Sequence, residues 1–394
     1  MSNSPETVRQ LRVALIGAGL MAKSHTLAYK SLPTLFPDLP AQPRLELLAD
    51  IDEPHARAAA ARLGFERWTG DWHDAVNDPE IDIVDIVTPN ATHFEIAMAA
   101  IRAGKHVSCE KPLALTATEA RQLWDAAQAA GVRTVVGFTY LGYPGVQLAR
   151  QLVADGTLGD IWSVKAHFIL DANADPRLPR TWHYQRDKAG FGAWGDVGSH
   201  VVAIVEAVAG PIAQVFGELT TVVPRRPAAA GALSYGATAA DDAPLEPVEN
   251  DDIAVVLARL ESGATAVLEA NRVGNGHPFD VSLEVLGSRG SVRWSQQDSY
   301  KVDLFLRDRA ATSLNGTATV DLGPAHPDYA AFWPLPGITI GLHEVKAVEV
   351  RNFFRAIVDG EESYPSFREG WRVLEVLEAA GRSSDAQAWV DVAR

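Results

Sequence analysis

Residues 11–22 read LRVALIGAGLMA, and the reading of this stretch decides the fold. LRVALI (11–16) is a short apolar run that stops at Gly17-Ala18-Gly19-Leu20-Met21-Ala22. Strand, glycine turn, then helix is the setting in which G-x-G-x-x-G/A has physical meaning. Gly17 permits the tight turn, Gly19 lets backbone approach a pyrophosphate, and Ala22 allows close packing of helix on sheet. The rival reading is a plain structural turn. On the dinucleotide reading, Gly17, Gly19, Leu20 and Met21 touch the cofactor, and the amides opening the helix supply partial positive charge.

Working outward, the second strand should end in an acid that accepts hydrogen bonds from a ribose, and RLELLAD (44–50) ends in Asp50. The interval from the glycines exceeds the usual twenty or so residues. SLPTLFPDLPAQP (31–43), with Pro33, Pro37, Pro40 and Pro43, is expected to absorb the excess as an extended loop. Asp50 followed by Ile51 favours NAD over NADP, because a carboxylate repels a 2′-phosphate and no arginine adjoins it. Asp52 adds to the repulsion, and Arg57 is the distant rescuer.

The alternation continues with a helix from about 53 to 63, a strand in IDIVDIVTP (81–89), a helix at 92–103, a strand in KHVSCEKP (105–112), a helix at 116–130 and a strand in RTVVGF (133–138). Strands separated by helices of this length imply a doubly wound parallel sheet over residues 1–140. Its ligand belongs at the strand carboxyl ends, which carry Thr88, Pro89 and Asn90, with His93 one turn on, then Glu110-Lys111-Pro112 and Phe138 to Tyr140. Lys111, tethered between a buried strand and a proline, sits where a nicotinamide ring is expected; a surface lysine capping the next turn is the alternative. The isomer of Pro112 is open at this point.

Composition narrows the class. The 394 residues are 47% apolar and 22% charged, as in a globular chain, and the formal net charge of -15 disfavours nucleic-acid and anionic-membrane partners. Cys109 is the single cysteine, so intrachain disulfides and cysteine-based zinc sites are excluded, and no metal is expected. MSNSPETVRQ lacks a signal-peptide apolar run and no stretch approaches the roughly 18 apolar residues of a membrane span, so the expected location is the cytoplasm.

Residues 141–394 read differently. WSVKAHFIL (162–170), AQVFGELTTVV (213–223), DIAVVLARL (252–260), TAVLEANRV (265–273), VSLEVLG (281–287), GSVRWS (290–295) and KVDLFLRD (301–308) are strand-like, and SGATAV and GSRGSV read as hairpin connections. They predict an α+β domain built on a large, mainly antiparallel sheet, one face on helices and one free for a partner subunit. Residues 224–251 read as a long loop; 322–343, with His326, Tyr329, Trp333 and His343, read as sugar-site lining, subunit contact or plain packing. Helices at 344–357 and 367–381 close the chain. GAWGDVGSH (192–200) places Asp196 and His200 four residues apart, one helical turn, before the apolar VVAIVEAVAG. Either this is a titratable pair at a site, or Asp196 is an N-cap and His200 a surface histidine.

With G-A-G-L-M-A, T-P-N-A-T-H, E-K-P-L and G-x-x-x-D-x-x-x-H in this order, the chain resembles the Gfo/Idh/MocA family of sugar and cyclitol dehydrogenases. DANADP (171–176), TWHYQRDKAGFGAWGD (181–196) and GPAHP followed by WPLP resemble its levoglucosan-oxidising branch. The resemblance implies NAD as cofactor, Lys111, Asp196 and His200 as the catalytic set, and a homodimer or homotetramer. It also implies a small sugar or cyclitol substrate; Lys111, Tyr140, Asn173, Trp182, His183, Asp196 and His200 are the candidate contacts, Trp182 also to the cofactor. Two departures stand out: Phe191 replaces a common family glycine and should narrow the pocket, and Thr139-Tyr140-Leu141-Gly142 replaces an Asn-Tyr-Arg-Arg stretch. The expected activity is oxidation of a secondary hydroxyl, at C3, of a pyranose or anhydrosugar such as levoglucosan; an inositol or glycoside dehydrogenase and a non-enzymatic dinucleotide-binding regulator are the rivals.

Overall fold

The computed structural model describes residues 9–229, 239–240, 242–307 and 316–393. They form two compact units: Met1–Ala114, Thr118–Thr139 and Gly341–Trp371; and Leu115–Ala117, Tyr140–Ile340 and Arg372–Arg394. Residues 341–371 group with the first unit, although the sequence boundary at 140/141 assigns them to the second.

The first unit is a six-stranded parallel sheet in the order β3-β2-β1-β4-β5-β6. Its strands are β1 (Arg9–Ile16), β2 (Ala41–Ala49), β3 (Arg67–Thr69), β4 (Ile83–Ile86), β5 (His106–Cys109) and β6 (Thr134–Val136). Helices α1 (Leu20–Leu35), α2 (Glu53–Leu63), α3 (Trp72–Asn77), α4 (His93–Arg102) and α5 (Ala117–Ala130) alternate with them. Strand order reverses between β1 and β4, which is where a doubly wound sheet opens a crevice for its ligand.

The proline-rich stretch 31–43 is not an extended loop. Helix α1 runs through Pro33 to Leu35, and β2 already starts at Ala41. Tyr29 and Leu32 have no exposed surface, so packing holds the last turn of α1 while Pro33 forfeits a single backbone bond. Pro43 is tolerated within β2 because β3 pairs only with Leu47–Ala49, leaving that flank of Pro43 without a neighbouring strand.

The second unit carries α6 (Pro144–Ala154), β7 (Ile161–Ile169), the short turns α7 (Arg186–Ala189) and α8 (Ala193–Asp196), α9 (Gly198–Ala209) and β8 (Ile212–Thr220). A small antiparallel ribbon follows, β9 (Arg225–Pro227) with β10 (Leu245–Pro247), so the expected loop at 224–251 is partly sheet; residues 230–238 and 241 of it lie outside the described residues. Then come β11 (Ile253–Leu260), β12 (Thr265–Asn271), β13 (Asp280–Gly287), β14 (Gly290–Ser295), β15 (Lys301–Leu306) and β16 (Ala318–Asp321). Next are α10 (Leu342–Asp359), which belongs to the first unit, α11 (Phe367–Ala386) and β17 (Val390–Asp391). In the first unit α10 packs on α1, with Phe354 against Tyr29 at 6.1 Å between ring centroids.

The nine-stranded sheet runs β16-β15-β14-β13-β7-β12-β11-β8-β17, antiparallel throughout except between β7 and β12. SGATAV and GSRGSV are the β11–β12 and β13–β14 hairpins, as expected. In β11, Ala254, Val256, Ala258 and Leu260 are buried while Val255, Leu257 and Arg259 are exposed, the period-two pattern of a sheet covered on one face. In the 322–343 stretch, the buried Tyr329 hydroxyl donates to Ile338 O (2.6 Å) and accepts from Ile338 N (2.9 Å), so this aromatic packs the loop on itself.

Candidate active site

In the first unit, Gly17 has φ +103°, and a Cβ there would lie 2.8 Å from the Val87 carbonyl oxygen, so only glycine fits this turn. Gly19 opens α1 with no capping side chain, and a Cβ on it would meet nothing within 4 Å. An uncapped helix start beside open space suits a pyrophosphate. Leu20 beside it is largely exposed. Asp50 clasps the same turn: Oδ2 accepts from Ala18 N (2.8 Å) and Oδ1 from Asp52 N (3.0 Å). A carboxylate has about four acceptor sites, so two remain for ribose hydroxyls. Ile51 projects with 96% of its surface exposed. The Arg57 guanidinium lies over the Trp68 ring, 5.9 Å from its centroid.

The Thr88-Pro89-Asn90 turn is braced from behind. Its Thr88 carbonyl and the Pro112 carbonyl each face one nitrogen of His93, both at 2.9 Å. His93 therefore ties this turn to the Glu110-Lys111-Pro112 turn and has no exposed surface. The Lys111–Pro112 peptide is cis.

Behind Lys111 lies a buried ionic network. Glu110 Oε1 accepts from His25 Nε2 (2.8 Å) and Lys346 Nζ (3.2 Å), and its Oε2 accepts from the Lys111 amide (3.2 Å). His25 Nδ1 reaches Asp85 Oδ2 (2.8 Å), which also accepts from the Tyr29 hydroxyl (3.0 Å). Lys346 donates to Glu349 (2.9 Å), whose other oxygen accepts from Thr139 (3.2 Å). Burial alone would neutralise these groups, yet the charges of Asp85 and hydrogen bonds to Asp85 and Glu110 lift His25 to about 9 against burial and the opposing Lys346. Glu110 is held well below the carboxylate range: burial pushes it up, and Lys346, His25 and Lys111 outweigh that. The Glu110 carboxylate thus holds the turn that carries Lys111.

In the second unit, Asp196 ends α8 and His200 lies in the first turn of α9, with a break at Val197 between them. The N-cap of α9 is Val197, and His200 is only 6% exposed, so neither the capping nor the surface reading holds. The His200 ring stands edge-on to Tyr140 (4.8 Å, 79°), which is itself buried among Tyr143, Phe168 and Phe279. Phe191 packs against Gly381, where an added Cβ would lie 2.8 Å from its ring. Asn173 Oδ1 accepts from the Tyr184 hydroxyl (3.0 Å), and Trp182 stacks on the His183 ring (3.8 Å, 25°).

Sequence reasoning missed His25, Asp85, Lys346 and Glu349, and also Asn250, Asp251, Arg226 and Arg272. The available signal was charge out of place: Asp85 interrupts the apolar IVDI of β4, and His25 and Lys346 fall on the buried stripes of α1 and α10. Among the described residues no acid, histidine or cysteine cluster suits a metal, and no helix is long and apolar enough to cross a membrane.

A dinucleotide crevice on a parallel sheet, with a second unit that is built on a large mixed sheet and bears a buried histidine on α9, defines a two-part oxidoreductase. Residues 11–138 match the family model "Oxidoreductase family, NAD-binding Rossmann fold" and residues 146–293 the "GFO/IDH/MocA C-terminal domain". The chain belongs to the Gfo/Idh/MocA family and uses NAD. It is 38% identical to levoglucosan dehydrogenase of Pseudarthrobacter phenanthrenivorans, over 98% of this chain and 99% of that protein. Levoglucosan dehydrogenase solved in complex with NADH and levoglucosan superposes with a TM-score of 0.91 at 36% identity, covering 98% of this chain and 100% of that one. An inositol dehydrogenase homologue from Azotobacter vinelandii, complexed with NAD+, superposes at 0.82 with 25% identity, covering 99% and 100%.

Proposed function

We propose that the chain is an NAD-dependent dehydrogenase that oxidises a secondary hydroxyl, at C3, of a pyranose or anhydrosugar such as levoglucosan. The observation that carries this reading is the near end-to-end similarity to levoglucosan dehydrogenase, in sequence and in structure. The glycine turn, the uncapped start of α1, Asp50 and the Thr88–Asn90 turn would hold the dinucleotide; when bound, NAD supplies the hydride acceptor. His200 takes the proton of the substrate hydroxyl as general base. Lys111 donates a hydrogen bond to the same oxygen and stabilises the developing alkoxide, a charge-assisted contact strengthened where water is excluded. Asp196 orients histidine and sugar, and Asn173, Trp182 and His183 contact the sugar's remaining face. The single cysteine, Cys109, is buried, in keeping with a cytoplasmic enzyme.

A panel decides the substrate: levoglucosan, myo- and scyllo-inositol, glucose and simple glycosides with NAD or NADP, followed by nicotinamide absorbance, with the product ketone located by NMR. Fast NAD reduction with levoglucosan and a C3 ketone is expected; turnover with inositols alone overturns the sugar assignment. Lys111→Ala should lower turnover about 10²–10⁴-fold while NADH still binds; full activity in that variant removes the mechanism.

We also propose a homodimer or homotetramer formed through the open sheet face. Leu257 and Val267 are direct cross-strand partners, 44% and 41% exposed, with Val255, two residues along β11 on the same face, at 43%. Light scattering should show an oligomer; a monomer refutes it.

A further inference from the structure

Three consecutive side chains just before β11 diverge to hold three different segments. Asn250 Nδ2 donates to the His183 carbonyl (2.9 Å) and, at the limit of a hydrogen bond, to the Gly190 carbonyl (3.5 Å), and its Oδ1 accepts from Arg272 Nη2 (3.0 Å). Asp251 takes the amides of Gly192 on Oδ1 and Trp194 on Oδ2, both at 2.7 Å, while its carbonyl takes Ala193 N at 2.9 Å. Asp252 pairs with Arg272 Nε (2.8 Å) and accepts from the amides of Val222 and Val223, both at 2.8 Å. All three are buried, at 6%, 5% and 0% exposure.

The sugar-facing stretch is braced by two buried cations. Arg226 and Arg272 both lie over the Tyr184 ring, 4.5 and 4.7 Å from its centroid. Arg226 donates to the carbonyls of Asp175 (2.8 Å) and Asn173 (2.5 Å), and Tyr184 in turn donates to the Asn173 side chain (3.0 Å). Arg226 has no exposed surface and no carboxylate hydrogen-bonded to it among the described residues, and its Nε is without a partner there. A buried guanidinium so poorly compensated is costly, and an apolar side chain of equal volume would pack the same space at less cost. What the cation does that an apolar side chain cannot is fix two carbonyls and an aromatic ring in the 173–184 stretch.

We propose that Asn250, Asp251 and Arg226 are positioning residues with separable effects: Asp251 fixes the segment that presents Asp196 and His200 and so sets turnover, whereas Asn250 and Arg226 fix the segment that presents Asn173 and His183 and so set sugar affinity. This deepens the proposed function and rests on it. The separation follows from the contacts. Asp251 bonds the backbone of 192–194 and Arg226 that of 173–175, and among the described residues neither hydrogen-bonds the other's segment. Asp251 carries a geometric lock as well: a Cβ on Gly192 would sit 1.9 Å from its carbonyl oxygen, so the 192 turn lies flush on the backbone of 251.

The test uses Asp251→Asn and Arg226→Met, with Arg226→Lys as the conservative rescue and Asn250→Ser as a milder probe should Arg226→Met fail to fold. Asp251→Asn keeps one acceptor and sets an amide N–H against a backbone N–H. Its kcat should fall about tenfold or more, the cost of a buried hydrogen bond to a charged group, with KM for the sugar little changed. Arg226→Met should raise sugar KM by about tenfold at a kcat close to wild type, and Arg226→Lys should recover part of it. Hydrogen exchange supplies a readout that needs no substrate: amides of 192–197 should open in Asp251→Asn and those of 171–184 in Arg226→Met or Asn250→Ser. If both variants change kcat and KM alike, or open both segments alike in step with a fall in melting temperature, the residues are merely structural and the proposal is wrong. If wild type reduces NAD with no sugar, the functional reading falls, while the exchange pattern still decides whether the two segments are held separately.

Discussion

Glu110 and Asp251 are both buried carboxylates, one adjoining Lys111 and the other holding the segment that leads to Asp196, yet they are held in opposite ways. Glu110 meets two side-chain cations, His25 and Lys346, delivered by helices far apart in sequence. Asp251 meets two backbone amides from one turn. The consequence shows in their acidity: Glu110 is driven well below the ordinary carboxylate range despite its burial, whereas burial raises Asp251 because amides and the more remote Arg272 compensate it only in part. Opposite charges secure ionisation; amide dipoles secure position. Breaking the first arrangement should therefore cost stability, and breaking the second should cost geometry.

The largest expected effect comes from removing a cation on the first side. Lys346→Met leaves Glu110 and Glu349 sharing a buried site without their common partner, and stranded buried charge of this kind costs about 3–5 kcal/mol. Glu349 is already pushed toward its neutral form by burial, so adding Glu349→Gln to Lys346→Met should recover part of that loss. Urea midpoints of the two variants check both statements. A loss below about 1 kcal/mol for Lys346→Met, within the range of an exposed pair, would show that the network is not held by charge.

Glycines on the two sides sharpen the contrast at a smaller scale. A Cβ on Gly137 would meet Glu110 Oε1 at 2.8 Å, the end of a side chain that can move, though only by loosening His25 and Lys346. Overpacking of that sort costs about 1–3 kcal/mol. The equivalent atom on Gly192 meets backbone, which cannot rotate away. Gly137→Ala should thus fold with a lowered urea midpoint and reduced turnover. Gly192→Ala should lose about a hundredfold in kcat, as an ångström of displacement at a reacting group does, with NADH binding intact. Equal losses in the two variants would erase the distinction.

How much of this was legible in the chain follows the same division. The glycine turn, Asp50 and the parallel sheet of the first unit could be read because each depends on local chemistry: a φ only glycine adopts, an acid at a strand end, short apolar runs alternating with helices. Lys111 and the Asp196–His200 pair were singled out by their motifs. The supports were not, because they are long-range: Lys346 meets Glu110 across 236 residues and Asp251 meets Gly192 across 59. Periodicity reports which face of an element is buried, but not which distant charge will be buried against it. The loop expected at 31–43 failed for a related reason. Prolines were read as local breakers, while the tertiary burial of Tyr29 and Leu32 kept the helix going. The edge-on contact of Tyr140 with His200 and the tie that His93 makes between two turns also depend on neighbours no local pattern names.

The smallest effect is a slope. His25 titrates at 6.5 when unperturbed and at about 9 in the folded protein, so between these values the folded state holds a proton that the unfolded state has released. Stability from this group is complete below pH 6.5 and is lost as pH rises through 9, with a slope of up to about 1.4 kcal/mol per pH unit inside the window. Glu110 has the opposite sign: its folded value lies below 4.5, so its contribution is present above that pH and lost on acidification. Asp251, raised from 3.8, takes the same sign as His25 but in the acid range, where it runs against Glu110. Below pH 9, where the buried Cys109 thiol has not begun to add a decline of its own, the alkaline window isolates the charge-held side of the comparison. Urea midpoints from pH 6 to 9 should decline across it in wild type, and His25→Gln, which cannot bind the proton, should flatten the decline. An unchanged slope in that variant would mean that His25 enters the network neutral, and that Lys346 alone keeps Glu110 ionised behind Lys111.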